Sequence, residues 1–308
     1  MEEDKMAARQ KISNRKPVGK KDLAVKGSFY VVVGLFALIC LFPFVLMITS
    51  SFMNETEIIA EGYKLIPKEW SLSAYQFLFN NSTNLVNAYR TTITNVLIGG
   101  TLGLLLMSMA GYVLCRNDFK YRNQIAFFIY FTTLFSGGLI PSYILMVKGL
   151  GLKDSIWAMI LPGLMSPWSI FLMRNFMKQI PDSLYECAAI DGAGDFRIYW
   201  QIFLPLAKPA LATIGLFLVL AYWNEWYNAM LYIESSSKYP LQYFLQRIVN
   251  QANVQLLVKS GVSVNTSDLP SESIKMATAV AATGPIILVY PFVQKYFVSG
   301  LTVGAVKG

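Results

Sequence analysis

The sequence predicts an all-α, polytopic membrane protein with six transmembrane helices. Three observations carry this reading. The 308-residue chain is 55% hydrophobic and only 14% charged, with a mean hydropathy of +0.45. A soluble domain is about half apolar and about a quarter charged. The apolar residues gather in runs of about 20, the length that crosses a hydrocarbon core about 30 Å thick. Lys and Arg then favour one side of those runs, as the positive-inside rule requires.

The six runs lie near 29–50, 91–114, 124–146, 155–177, 206–231 and 276–297. The first is longer than the 7–15 residues of a signal-peptide core, and no small-residue cleavage site follows it, so it reads as a retained span. Lys5, Arg9, Lys11, Arg15, Lys16, Lys20, Lys21 and Lys26 all precede it. With that end inside, seventeen of the 26 Lys and Arg fall on the inner side and nine on the outer. This predicts both termini in the cytoplasm. Residues 1–28 form a basic cytoplasmic segment, 29–300 the transmembrane domain, and 301–308 a short cytoplasmic tail. Two sizeable outer loops are expected, at about 52–88 and about 234–274. Pro43, Pro141, Pro162, Pro167, Pro285 and Pro291 lie in or beside spans and read as kinks whose freed backbone groups are satisfied by neighbouring helices. Gly99 and Gly103 form a G-x-x-x-G pair that lets helices approach closely.

Composition also excludes functions. The net charge of +8 sits largely ahead of the first span, which points to a membrane flank and away from nucleic acid. Cys40, Cys115 and Cys187 form no C-x-x-C pair, so neither a disulfide framework nor zinc spacing is present. The chain has no histidine, the commonest general base and metal ligand. Acids are almost absent from the spans. No catalytic or metal-ligating residue is nominated, and an intramembrane enzyme is disfavoured. No G-x-x-x-x-G-K-[ST] loop occurs, so no nucleotide or other cofactor is assigned to this chain.

The inner segment from Arg174 to Leu211 is too polar to be a span and too ordered to be a linker. Pro181, Asp182 and Ser183 are helix-start residues. Ala188 and Ala189 are good helix formers. Asp191-Gly192 and Ala193-Gly194 then break the helix, because glycine supplies the positive φ of a sharp stop. A second short helix follows over DFRIYWQIFL, placing Phe196, Tyr199, Trp200 and Phe203 at helical spacing. Pro205 and Pro209 set the start of the fifth span. Helix, glycine turn, helix fits an interfacial amphipathic connector. It fits equally a knob presented to a soluble partner.

A second cluster, Tyr222, Trp223, Asn224 and Glu225, nears the outer end of the fifth span. Aromatic faces stack on the C–H faces of sugars while amides bond hydroxyls, so these residues are candidates for a translocation path. The same composition fits an interface belt or packing. Glu225 is an ionisable group at membrane depth, and such groups are functional candidates.

The inner segment resembles the EAA loop of bacterial ABC importer permeases. That pattern is Glu-Ala-Ala, three residues, Gly, nine residues, then Ile-x-Leu-Pro. Glu186, Ala188, Gly192, Ile202, Leu204 and Pro205 match it, with Ala189, Asp191 and Ala193 beside them, and Cys187 stands where the family has its first Ala. IPDSLYECAAIDGAG, WNEWYNAMLYI and KYFVSGLTVGAVKG are similar to the carbohydrate-uptake branch, in particular to the maltose-type inner permease at its second-subunit position. KYPLQYFLQRIV, from Lys238, resembles a subgroup linked with complex plant or uronic-acid-containing oligosaccharides.

The resemblance implies a type I ABC importer transmembrane fold in a bacterial plasma membrane. It implies a cytosolic ABC ATPase dimer that uses the ATP, a second homologous permease and an extracytoplasmic solute-binding (lipo)protein. It implies a sugar or oligosaccharide substrate, delivered where the outer loop at about 239–270 reaches into the binding protein. Glu186 would contact the ATPase, and Gly192 would let the chain turn where a Cβ would clash. A permease for a non-sugar solute, or an ATP-independent channel, is the alternative.

Overall fold

The computed structural model describes residues 20–80, 82–259, 272–285 and 287, with side chains of 20–26, 82 and 251–259 outside that description. The helices in order are α1 (Lys20–Ser50), α2 (Glu55–Glu61), α3 (Ser73–Asn80), α4 (Ser82–Cys115) and α5 (Arg122–Leu134). Then come α6 (Leu139–Gly149), α7 (Trp157–Ile160), α8 (Pro167–Met177), α9 (Asp182–Ile190) and α10 (Asp195–Leu206). Next are α11 (Lys208–Trp223), α12 (Tyr227–Tyr232) and α13 (Leu241–Lys259), and α14 covers 272–285. No strand forms among the described residues; one isolated bridge pairs Met53 with Trp70.

Two of these helices, α1 and α4, are each long and apolar enough to cross a membrane, and up to four spans result if two bent pairs each count as one. The expected third span is bent by 113° between α5 and α6. The cause is local: Gly138 sits at φ 86°, where only glycine is comfortable, and Pro141 follows without an N–H. The fourth is split at Leu164–Ser166. Ser166 Oγ accepts from Ser169 N–H at 3.4 Å and Pro167 opens α8, a start signal in mid-run. The fifth begins after a turn of 82° between α10 and α11, with Pro209 in the first turn of α11. It stops at Trp223 rather than running to 231. Residues 1–19 of the basic segment, the tail 301–308, and 286 and 288–297 of the sixth run lie outside the described residues.

Packing centres on α4, flanked by α8 and α11. Hydrocarbon tails are as apolar as Leu, so burial alone does not draw these helices together; close contact and backbone approach do. Two glycines supply that approach. A Cβ on Gly99 would stand 2.4 Å from Tyr222 Cζ, and one on Gly111 would stand 2.7 Å from Met173 Cγ. Met107, Ile170, Met173, Ile214, Leu218 and Tyr222 form one buried cluster with Ile198, Tyr199 and Phe203 of α10. Tyr199 Oη also hydrogen-bonds Ser108 Oγ across 2.7 Å. The start of the inner hairpin's second helix is thus fastened into the transmembrane core.

The side expected to face outward is tied by side chains that bond backbone. Glu55 accepts from the N–H groups of Glu272 (2.9 Å) and Ser273 (3.0 Å), capping the start of α14. Tyr63 Oη donates to Glu272 Oε2 at 2.8 Å. Burial and that carboxylate push the Tyr63 hydroxyl up to about 12. Asp154 holds φ 54°, the one non-glycine positive φ among the described residues. Its carboxylate accepts from Lys238 Nζ (2.7 Å), Ser235 Oγ (2.6 Å), Ser235 N–H (3.0 Å) and Glu234 N–H (3.1 Å). Lys238, then Ser235, hold this carboxyl well below the usual carboxylate range. The second outer loop is largely helical, as α13, because LQYFLQRIV continues from Pro240 with no breaker.

Candidate functional site

The inner hairpin forms as its local residues dictate. Helix α9 starts at Asp182, just after Pro181, and ends at Ile190. Gly192 takes φ 79°. Its N–H donates to Ala189 O (3.0 Å), and Ala193 N–H donates to Ala188 O (3.0 Å). This pair of bonds is the Schellman closure of a helix C-terminus, with glycine at the left-handed position. The expected reason for Gly192 needs correction. A Cβ there would meet nothing within 4 Å. The demand on this residue is backbone conformation, and no neighbour crowds it.

Side chains from distant parts of the chain brace the hairpin. The Arg116 guanidinium lies over the Tyr185 ring and donates twice to Asp118, from Nε (2.9 Å) and Nη2 (2.7 Å). Those bonds hold the exposed Asp118 carboxyl below its ordinary value. Tyr185 Oη donates to Asp195 Oδ1 at 3.1 Å, closing α9 onto α10. Asn117 Nδ2 donates to Asp182 Oδ2 at 2.9 Å, at the α9 start. Arg174 Nε donates to Leu114 O at 3.1 Å, fixing α8 against the end of α4. Sequence reading missed Arg116, Asn117, Asp118 and Tyr185. Each is unremarkable in its own neighbourhood, and the two pairings that reach the hairpin, Arg116 with Tyr185 and Asn117 with Asp182, join residues at least 65 apart and carry no local signal.

What remains outward is a mixed face. Ala188, Ala193, Ile202 and Leu204 are half-buried against the core, while Cys187, Ala189, Asp191 and Pro205 are exposed. Glu186 is exposed and has no partner among the described residues. Leu184, Phe196 and Trp200 are exposed, and Ile190 is 85% exposed. Phe196 and Trp200 stack with ring centroids 6.2 Å apart. Of the four aromatics expected on one helix, Tyr199 and Phe203 turn inward and these two outward. The α9–α10 hairpin thus exposes large apolar side chains together with the Glu186 carboxylate.

The fifth-span cluster divides. Tyr222 is buried at 3% exposure, wedged between Gly99 and Gly163. Its hydroxyl donates to Ile160 O at 2.8 Å. That carbonyl lies where α7 gives way to the single 3-10 turn of Leu161–Gly163, whose end is closed by Leu164 N–H donating to Leu161 O. Trp223 is buried too and donates from Nε1 to Ala282 O at 3.2 Å. Both pack against other helices of this chain. Asn224 is exposed and accepts from Gln242 Nε2 at 3.3 Å. Glu225, whose partner was not legible, accepts from Asn228 N–H (2.7 Å) and Asn228 Nδ2 (2.9 Å), capping α12.

The fold is thus a bundle of helices, several of them broken, that carries a braced hairpin. The chain belongs to the family of binding-protein-dependent transport system inner membrane components, which it matches over residues 7–303. It is 42% identical over 283 residues, covering 89% of this chain and 95% of the relative, to the polygalacturonan/rhamnogalacturonan transport system permease protein YtcP of Bacillus subtilis (strain 168). It is 30% identical over 276 residues to the arabinooligosaccharides transport system permease protein AraQ of Halalkalibacterium halodurans, covering 88% of this chain and 93% of that one. Among solved structures, a bacterial ABC transporter involved in the import of the acidic polysaccharide alginate contains a similar chain. The two superpose with a TM-score of 0.77 at 29% identity, over 92% of this chain and 99% of that one. The chain is thus a sugar or oligosaccharide ABC importer permease subunit with the type I fold, a component of the inner membrane.

Proposed function

We propose that this permease imports a uronic-acid-containing oligosaccharide, and that the α9–α10 hairpin couples it to a cytosolic ATPase dimer. The observation that carries the coupling is the hairpin itself. Its turn is closed by Gly192, it is braced by Arg116 at the end of α4, and it exposes Glu186 as well as Leu184, Ile190, Phe196 and Trp200. A rigid lever of this kind transmits ATPase closure to the spans, where a flexible one would not. ATP is bound and hydrolysed by the ATPase, and this chain carries no cofactor. A second homologous permease completes the pore and a solute-binding protein delivers the sugar. The uronate reading is supported by the relatives named for polygalacturonan/rhamnogalacturonan and for alginate.

Two variants test the lever. Gly192→Val forces a β-branched residue into a left-handed conformation that costs roughly 1–2 kcal/mol even for ordinary residues. Glu186→Lys reverses charge at a protein joint, where mismatched charge costs several kcal/mol. Both should insert normally, yet lose co-purification of the ATPase and sugar-stimulated ATP hydrolysis. If both retain the ATPase and transport at the wild-type rate, the hairpin is only a connector.

Six spans with both termini inside complete the reading. Single cysteines at Lys20 and Ala193 should resist an impermeant thiol reagent in intact cells, and those at Lys64 and Asn250 should react. Labelling at Ala193 with protection at Asn250 would reverse the orientation.

A further inference from the structure

The outer rim holds a cleft of about 200 Å³ that none of the roles above uses. It opens between the α3–α4 corner, through Phe77 and Asn84, and the α13 side, through Ser236, Tyr239, Phe244 and Arg247. Arg247 stands over the Tyr239 ring, 5.0 Å from its centroid, and donates from Nη1 to Tyr239 Oη. Tyr239 Oη in turn donates to Glu234 O at 3.0 Å. The guanidinium is therefore positioned by its neighbours.

Its charge, however, is unmatched. Lys64, Lys68, Lys153, Lys238 and Lys275 on the same side each pair with a carboxylate. Arg247 has no carboxylate partner among the described residues. Arg90 and Lys148 lack one as well, but neither lines this cleft. A positioned guanidinium with spare donors is a fork for a planar carboxylate. Phe77 and Phe244 line the cleft with aromatic carbon and Tyr239 lies buried under the guanidinium, while Asn84 and Ser236 add hydrogen-bonding groups. Flat C–H faces, hydroxyls and one carboxylate are together the chemistry of a hexuronate. The cleft is smaller than the ~300 Å³ at which pockets for drug-sized ligands begin, which suits a single sugar ring.

We propose that this cleft is an outer subsite for the carboxylate-bearing sugar of an acidic oligosaccharide, with Arg247 as the residue that selects acid over neutral sugar. The proposal rests on the uronate reading given under Proposed function. A carboxylate could also come from an acidic side chain of the solute-binding protein, and the test separates the two sources.

The complete transporter in nanodiscs, without binding protein, is titrated with trigalacturonate and with the same trimer reduced at its carboxyls. The wild type should bind the acid at least about tenfold more tightly, as one charge-assisted pair provides. Arg247→Gln should remove that preference, and Arg247→Lys should keep part of it. Docking of the sugar-free binding protein should be the same for all three. A preference that persists in Arg247→Gln, or no trigalacturonate binding by the wild type, overturns the subsite. So does loss of sugar-free docking in Arg247→Gln, which would give the carboxylate to the binding protein. Uptake of trigalacturonate by wild-type proteoliposomes with binding protein tests the parent reading separately. Uptake without an Arg247 effect leaves that reading standing and ends this one; no uptake ends both.

Discussion

Helices α1 and α4 are the two that could each cross a membrane unbroken, and they are opposites in every other respect. The most apolar stretch of α1, within Gly27–Ser50, has none of its residues buried, while a third (33%) of the corresponding stretch of α4 is buried. The more apolar helix is the less packed one. Helix α4 carries Thr91, Thr92, Asn95 and Ser108, all buried, and three glycines that face its neighbours, Gly99, Gly103 and Gly111. Thr92 Oγ1 accepts from Leu241 N–H at 2.8 Å, tying α4 to α13. Helix α1 has Gly34, with nothing within 4 Å of where a Cβ would sit. Apolarity therefore reports compatibility with lipid. Small and polar residues report contact with protein, because they alone gain from a neighbouring helix what a lipid tail cannot offer.

The largest break in this contrast should come at Gly99. Valine there needs space already filled by the Tyr222 ring, which is buried and hydrogen-bonded and cannot swing aside. Overpacking of this kind costs about 1–3 kcal/mol. Thermal unfolding of the detergent-solubilised chain should show a clear drop in Tm for Gly99→Val. Adding Tyr222→Ala should recover part of it, since the two residues share one contact. An unchanged Tm in the single variant would mean that α4 and α11 do not meet through this pair.

A finer probe is Tyr222→Phe, which keeps the ring and removes only the bond to Ile160 O. The expected loss is about 0.5–1.5 kcal/mol, the net contribution of one hydrogen bond. It should lie within or below the Gly99→Val effect, and a larger value would shift the weight from packing to that bond. The smallest effect belongs to Gly34→Val on α1. With open space around it, the change should stay within about 0.5 kcal/mol in the isolated chain. A destabilisation like that at Gly99 would abolish the contrast by showing α1 to be packed.

The inner hairpin sharpens a second difference, between what is local and what is not. The stop at Gly192 was legible because a left-handed glycine after Ala188-Ala189 is a property of adjacent residues. The brace from Arg116 and Asn117 was not, because its partners come together only when α4 and α9 have folded. Glu225 lies between these cases. Its partner Asn228 is three residues away, but the break at Asn224–Trp226 that lets it cap α12 was hidden inside an apolar run.

The sequence by itself determined the helical class, the apolar runs, the glycine-closed inner hairpin and, through Glu186, Gly192, Ile202, Leu204 and Pro205, the transport family. Each depends on composition or on spacing within a few residues, where backbone conformation is decided by neighbours along the chain. The tertiary structure alone decided that the apolar stretch of α1 stands bare while α4 is the hub. It also decided that Tyr222 and Trp223 pack inward, and that Arg247 faces a cleft without a carboxylate. The physical reason is that a side chain's surroundings in a membrane protein are lipid, helix or water. An apolar residue is at ease in the first two alike, so only the assembled packing distinguishes them.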